Sequence, residues 1–363
     1  MSATHELIRV LVIDDSAFSR RTITRMLETS PLVRVIDVAR DGEEALRKTF
    51  ELQPDLITLD LEMPRMDGFT FLRLVMGRRP TPILVISGRS GDQDVFKALD
   101  LGAVDFIAKP TPRPTPELES IQQELIRKVH AIRELRLDKL RERISAVPPV
   151  VPAPADPLPA AGSRMVAIGS STGGPAALMR IFGALVEPLH CAILVSQHMP
   201  AGFTKGFAQR IDRLTPLAAR EAQDGDEPRP GLVLVAPGGH HLELEQVRRR
   251  TTVRISPKTS DEKYAPSVDR MFQSAAKHYG SDVLAIVLTG MGDDGRRGVR
   301  AVKEAGGSVI AESEETAVIF GMPQQAIRTG VVDAVLPLDA IAAVIQTGVG
   351  RARRWLPRLE GTE

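Results

Sequence analysis

The chain has 363 residues, enough for two buried cores with connecting chain. Its 43 % hydrophobic and 26 % charged residues are a globular balance, and its net charge of +1 is spread evenly over both halves. With 4 % aromatics it has neither the basic excess of a nucleic-acid-binding domain nor a stacking platform for single strands. No stretch approaches the roughly 18 apolar residues of a membrane span. The opening MSATHELIRV lacks the basic and apolar regions of a secretory signal. A single cysteine, Cys191, excludes an intrachain disulfide framework and a Cys-rich zinc site. A cytoplasmic monomer with no nucleic-acid partner and no membrane insertion is expected.

The first 112 residues alternate β-branched runs (Arg9–Ile13, Val33–Val38, Leu56–Leu59, Ile83–Ile86, Asp105–Ala108) with amphipathic stretches such as Ala17–Glu28, Gly42–Leu52 and Gln93–Leu101. Strict alternation of strand and helix predicts a parallel sheet covered on both faces. Apolar residues at helical spacing (Ile121, Leu125, Val129, Ile132, Leu135) then predict an amphipathic helix over Pro116–Ser145. Six prolines among the 17 residues of Val147–Ser163 mark a semi-stiff linker. Beyond it the strand theme returns at Met165–Ile168, Ala192–Val195, Leu232–Val235, Leu284–Leu288 and Ser308–Ala311. No short-period repeat suggests a solenoid.

In an open α/β sheet, ligands bind beyond the carboxyl ends of the strands. Four of the five predicted strands of the first half end there in a reactive polar residue: Asp14-Asp15, Asp60, Ser87 and Lys109. Three converging carboxylates repel one another unless a cation sits among them, and hard oxygen ligands favour Mg²⁺. A lysine and a hydroxyl at the same edge suit a phosphoryl group. The competing reading is that Asp14 or Asp15 caps the following helix. Through the segments LVIDDSAFSR, LITLDLEMPRMDG, ILVIS and GAVDFIAKP, residues 9–110 resemble the receiver domain of two-component response regulators. The resemblance implies a flavodoxin-like fold with a five-stranded parallel sheet and Asp60 as phosphoacceptor. It implies Mg²⁺ held by Asp14, Asp15, Asp60 and the Glu62 backbone carbonyl. Ser87 and Lys109 would contact the phosphoryl group, and Phe106 would be the aromatic that follows phosphorylation.

In the second half, an apolar strand runs into Gly169-Ser170-Ser171-Thr172-Gly173-Gly174 and then Pro175, which suits a first helical turn. A serine held at a helix N-terminus meets free N–H groups that favour developing negative charge. Gly169-x-Ser171-x-Gly173 fits the nucleophile-elbow pattern in its strand–turn–helix setting. A dinucleotide-binding loop is the weaker rival, because G-x-G-x-x-G is not satisfied. A plain Ser/Gly turn is the other. A serine nucleophile needs a base, and His198 follows a strand at the same carboxyl edge, with His240 and His241 in a Gly-rich turn as competitors. A third group should orient the imidazole. Asp293 and Asp294 follow the Leu284–Leu288 strand, and either could instead cap the next helix.

The segments AIGSSTGGPAAL, SQHMPAGFTKGFAQRI, APGGHHLEL, APSVDRMF, VLTGMGDDGRRG and VIFGMPQQAI together resemble the catalytic domain of the CheB family of protein-glutamate methylesterases over roughly 164–345. The resemblance implies Ser171 as nucleophile, His198 as general base and Asp294 as the residue that orients the imidazole. Backbone N–H groups of Thr172 and Met291 would form the oxyanion hole. Lys263-Tyr264-Ala265 departs from the basic residues or histidine that family members often carry before PSVD, which leaves contacts to the receptor helix open.

The expected organisation is a receiver over 1–116, a helical and Pro-rich linker over 117–163, a doubly wound α/β methylesterase domain over 164–350 and a tail over 351–363. The expected function is phosphorylation-activated removal of methyl groups from glutamyl methyl esters of chemoreceptors, with deamidation of receptor glutamines. A chemotaxis histidine kinase would be the phosphodonor, Mg²⁺ would serve the receiver, and the esterase domain would need no cofactor. A non-catalytic adaptor switched by phospho-Asp60 is the alternative from a different class. A DNA-binding regulator is opposed by the charge balance and by the lack of a helix-turn-helix pattern.

Overall fold

The computed structural model describes residues 7–88, 92–110, 116–132, 135, 164–259 and 262–348. The chain divides into two units, Met1–Ser145 and Ala146–Glu363.

The first unit alternates β1 (Ile8–Ile13), α1 (Ala17–Leu27), β2 (Val33–Ala39), α2 (Gly42–Leu52), β3 (Leu56–Asp60), α3 (Gly68–Arg78), β4 (Ile83–Ser87), α4 (Asp92–Asp100), β5 (Asp105–Ala108) and α5 (Pro116–Ala131). The sheet order is β2-β1-β3-β4-β5, with every pair parallel. All five residues of β3 and of β4 are buried, which is why these strands read as continuous apolar runs rather than as alternating ones. Helix starts are set by short polar side chains: the Asp41 carboxylate accepts from the N–H groups of Glu43 and Glu44, and Asp67 accepts from Thr70. Val10, Val12, Leu56 and Ile107 of the sheet share one core with Ile23 and Leu27 of α1 and with Leu125 and Val129 of α5. The helix expected at the start of the linker thus packs on this sheet. Apolar spacing alone does not say what a helix packs against, and the buried stripe of α5 closes one face of this sheet. The proline-rich segment 147–163 lies outside the described residues.

The second unit runs β6 (Arg164–Ser170), α6 (Gly174–Gly183), β7 (Cys191–Gln197), α7 (Thr204–Leu214), β8 (Ala218–Glu221), β9 (Leu232–Val235), β10 (His240–Val247), β11 (Arg250–Pro257), α8 (Val268–Tyr279), β12 (Val283–Val287), α9 (Arg296–Glu304), β13 (Ser308–Glu312), α10 (Gly321–Ile327), β14 (Ala334–Leu336) and α11 (Leu338–Gly348). Seven strands form a parallel sheet in the order β14-β13-β12-β6-β7-β9-β8, and β10-β11 is a separate antiparallel hairpin. The chain starts at β6, winds outward through β7, and later returns to wind the other way from β12. Strand order therefore reverses at β6, the point where open α/β sheets leave a crevice. Met165, Ala167, Leu194, Ala285 and Val287 pack with Met271, Phe272 and Ala275 of α8 in the core. Cys191 opens β7 fully buried, and burial pushes its thiol pKa up to about 12. Among the described residues, no helix is long and apolar enough to cross a membrane.

Candidate functional site

Three adjacent strands carry the candidate catalytic residues to one edge. Ser170 of β6 pairs in register with Gln197 of β7, and Gly169 pairs with Val287 of β12, so the loops bearing Ser171, His198 and Asp294 leave the sheet side by side. All three residues are buried. The His198 N–H donates to the Ser170 carbonyl at 3.0 Å, and the Ser171 N–H donates to the Thr289 carbonyl at 3.0 Å. His198 Nε2 donates to Asp294 Oδ2 at 2.8 Å, which assigns the ring proton to Nε2. Nδ1 is buried and makes no hydrogen bond to any described residue, so it is the nitrogen with a free lone pair. The histidine thus uses its ring in the opposite sense to the common triad, in which Nδ1 faces the acid.

Asp294 rather than Asp293 is the partner, and the reason is local. Its carboxylate accepts from the backbone N–H groups of Val268 and Asp269, both at 2.8 Å, and from the Ser267 hydroxyl at 3.1 Å, all at the start of α8. Asp269 answers by accepting from the N–H groups of Gly295 and Gly298 at the start of α9. Each helix start is thus capped by an acid next to the other, which explains the PSVD and GDDG segments together. Burial would raise the Asp294 pKa, but His198 and the two backbone donors outweigh it and hold the group below its ordinary value. Asp293 is exposed.

Glycines set the closeness of the loops. A Cβ on Gly290 would lie 2.7 Å from Ser171 Cβ, and one on Gly174 would collide with Gln197 Oε1. The Thr289–Met291 loop is held from behind: the N–H groups of Gly290 and Met322 bond to Ile319 O and Gly290 O. Among the described residues the backbone N–H groups of Thr172 and Met291 donate to no protein acceptor, as donors reserved for an oxyanion require.

The first unit gathers its acids as the strand ends suggested. Carboxylate oxygens of Asp14, Asp15 and Asp60 lie within 4.8 Å of one another. Asp14 and Asp60 are buried and Asp15 is exposed. Lys109 Nζ donates to Asp60 Oδ2 at 2.5 Å and lies 3.0 Å from Asp14 Oδ2. Burial, then the Asp60 charge, raises the Asp14 pKa, with Lys109 opposing. For Lys109, burial acts downward and the Asp60 and Asp14 carboxylates outweigh it. One ammonium shared by two buried acids leaves negative charge over, and three hard oxygens at this spacing fit a divalent cation such as Mg²⁺. Ser87 ends β4, and its hydroxyl donates to Gly88 O at 3.3 Å. Glu62 lies in the loop beyond Asp60, where its N–H reaches Asp60 Oδ1 at 3.3 Å. Phe106 is fully buried, edge-on to Phe96 at 6.4 Å.

Other expectations resolve differently. His240 and His241 open β10 rather than lying in a turn, and His241 Nε2 pairs with Glu262 at 2.9 Å. Two residues escaped the sequence reading. Gln197, fully buried, donates to the carbonyls of Ser171 and His198 at 3.0 Å each and accepts from the Ser170 hydroxyl at 2.6 Å. It ties the two loops together and occupies the neighbouring serine, leaving Ser171 as the hydroxyl without such a bond. Tyr264 stacks on the His198 ring, with centroids 4.5 Å apart and planes at 9°. Their only sequence signals were adjacency to His198 and the odd segment before PSVD.

A five-stranded parallel sheet with this acidic edge makes the first unit a response-regulator receiver, attached to an α/β unit with a buried Ser, His and Asp at its switch point. The receiver family description matches residues 10–118, and the CheB methylesterase description matches residues 166–345. The protein-glutamate methylesterase/protein-glutamine glutaminase 3 of Geobacter sulfurreducens is 52 % identical, covering 93 % of this chain and 96 % of that one. The corresponding protein 1 of Myxococcus xanthus is 50 % identical, covering 96 % and 99 %. The Thermotoga maritima CheB methylesterase catalytic domain, a crystal structure, is 42 % identical over 51 % of this chain and 98 % of that one, with a TM-score of 0.49. The chain belongs to the CheB methylesterase family.

Proposed function

We propose that this protein hydrolyses glutamyl methyl esters on chemoreceptors, deamidates receptor glutamines, and is activated by phosphorylation of Asp60. The observation that carries the reading is the buried His198–Asp294 bond with Nδ1 left free, on the loop neighbouring Ser171. In the proposed mechanism Nδ1 of His198 takes the Ser171 hydroxyl proton as Oγ attacks the ester carbonyl. Asp294 holds the Nε2 proton and stabilises the imidazolium that forms. The N–H groups of Thr172 and Met291 receive the oxyanion. The proton on Nδ1 passes to the departing methoxide, which leaves as methanol, and water then resolves the glutamyl-enzyme ester by the same route. Ammonia replaces methanol in the glutaminase reaction.

In the receiver, Asp14, Asp15, Asp60 and the Glu62 carbonyl would hold Mg²⁺, which supplies charge neutralisation for the incoming phosphoryl group. Lys109 and Ser87 would contact that group, and Phe106 would change rotamer with it. A chemotaxis histidine kinase is the proposed donor, and the protein is proposed to act as a cytoplasmic monomer. The proposed catalytic domain spans 164–350 and the tail 351–363. The non-catalytic adaptor reading has no use for a buried His–Asp pair with a reserved lone pair. The test is methanol release from methylated receptors by the full chain, with and without acetyl phosphate and Mg²⁺. Release that rises with phosphorylation supports the reading, and no release under any condition overturns it.

A further inference from the structure

Beside the His198–Asp294 pair lies a cleft of about 450 Å³ whose lining includes Lys263, Tyr264, Asp294, Arg296 and Arg300. Its charges divide into two sets. Arg270 is committed to Glu243 and Glu262, each at 2.6 Å, and Arg297 to Asp269 at 2.9 Å. Glu262 and Asp269 are thereby used up, as Asp294 is by His198 and the start of α8. Lys263, Arg296 and Arg300 remain, all exposed and without an ion pair to any described residue. Against them stands one exposed acid of the lining, Asp293. Arg296 and Arg300 are four apart on α9, so both guanidinium groups lie on one helix face. Arg296 is two residues beyond Asp294, and Lys263 adjoins the Tyr264 ring stacked on His198.

From this placement we infer that Lys263, Arg296 and Arg300 form a subsite for a carboxylate of the substrate protein, one helical turn from the scissile ester. The inference rests on the methylesterase reading above and adds to it a rule of choice: esters flanked by an acid are preferred. In a helical substrate, side chains three or four residues apart lie about 5–6 Å from each other at Cβ, within the reach of an arginine. A carboxylate there meets charge-assisted hydrogen bonds from planar guanidinium groups. The bonds are partly solvated, so each is worth little by itself, and two or three in concert tune selection rather than chemistry.

The test uses three fluorescein-tagged helical peptides with one glutamyl methyl ester and Glu, Gln or Lys four residues away. With the full chain, kcat/KM should fall in the order Glu, Gln, Lys, by about fivefold per step, and the spacing should shrink as salt rises. The double reversal R296E/R300E should invert the order and cleave the Lys-flanked peptide faster than the Glu-flanked one. That gain of function cannot come from a misfolded chain. Affinities of the same peptides for the Ser171→Ala chain, read by fluorescence anisotropy, should follow the same order. Equal kcat/KM for all three peptides, or a Glu preference that survives the double reversal, overturns the subsite. So does a duplex DNA oligonucleotide that displaces the Glu-flanked peptide at equal concentration, since the patch would then be a general polyanion surface. If the anisotropy order holds while no peptide ester is cleaved, the methylesterase reading fails and the carboxylate subsite stands.

Discussion

The His198 ring is differentiated before any substrate arrives, because Asp294 takes one nitrogen and no described residue takes the other. Asp294→Asn would test this directly. An amide can donate to Nε2, which would move the ring proton to Nδ1 and remove the base. Turnover of methylated receptor should fall by about 10³- to 10⁴-fold with folding retained, as wrong-tautomer variants of such sites do. Ser171→Ala should lose several orders of magnitude in kcat, and a covalent serine probe should label the wild-type chain at Ser171 alone, because Ser170 spends its hydroxyl on Gln197. Labelling of Ser170 would refute the assignment. The pairing of acid and base was only half legible beforehand. Strand ends and turn glycines pointed to this edge, but Asp293 and Asp294 are adjacent, and only the approach of the α8 start to that loop separates them. Gln197 gave no signal beyond its adjacency to His198, because a buried amide that bonds two carbonyls looks like any polar residue at a strand end.

At the scale of elements, alternation of apolar runs and helical spacing was enough to read both parallel sheets. What escaped were elements at the periphery. β8 and β14 are short edge strands of four and three residues, too brief for any period to emerge. The β10–β11 hairpin did carry a period of two in Leu242 and Leu244, and its turn places Arg248 and Arg249 at φ of 46° and 69°. Those two arginines hide the turn, since Asn-Gly is the usual signature of that geometry. The hairpin packs on α8 through Leu242, Leu244 and Val253, and Glu262 adds a polar link, accepting from His241 and Arg270 and from Thr259. Burial opposes ionisation there, yet these partners hold the Glu262 pKa down to about 2 against an ordinary 4.5. A depressed carboxylate contributes stability that is complete above about 4.5 and is lost as pH falls toward about 2. Glu262→Gln should therefore lower the urea midpoint at neutral pH, and the gap to wild type should close over that acidic window. A gap that persists at pH 2 would show that packing, not charge, is responsible. Loop closeness gives a second element-scale test. Gly290→Ala drives a methyl against Ser171 Cβ, so esterase activity should collapse while Asp60 phosphorylation is spared.

For the whole molecule, the two units are separate in their cores and joined by one stretch of chain, so anything one does to the other is intramolecular and acts at high effective concentration. If the unphosphorylated receiver restrains the esterase, a fragment beginning near Gly162 should outpace the full chain on methylated receptor. Acetyl phosphate with Mg²⁺ should bring the full chain toward the fragment, and excess chelator should abolish that effect. A small ester should show less difference, because it passes a partial block. Equal receptor activity in fragment, full chain and phosphorylated full chain would leave the receiver a targeting role alone. The means to watch such a switch follow from a single strand residue. Cys191 is sealed in β7, where burial both blocks access and disfavours the thiolate that would attack a maleimide or react with a mild oxidant. The native protein is in effect thiol-silent, so one cysteine introduced on the surface of each unit would be the only places a dye pair could attach, and energy transfer between them would report on the distance between the units with Cys191 left in place.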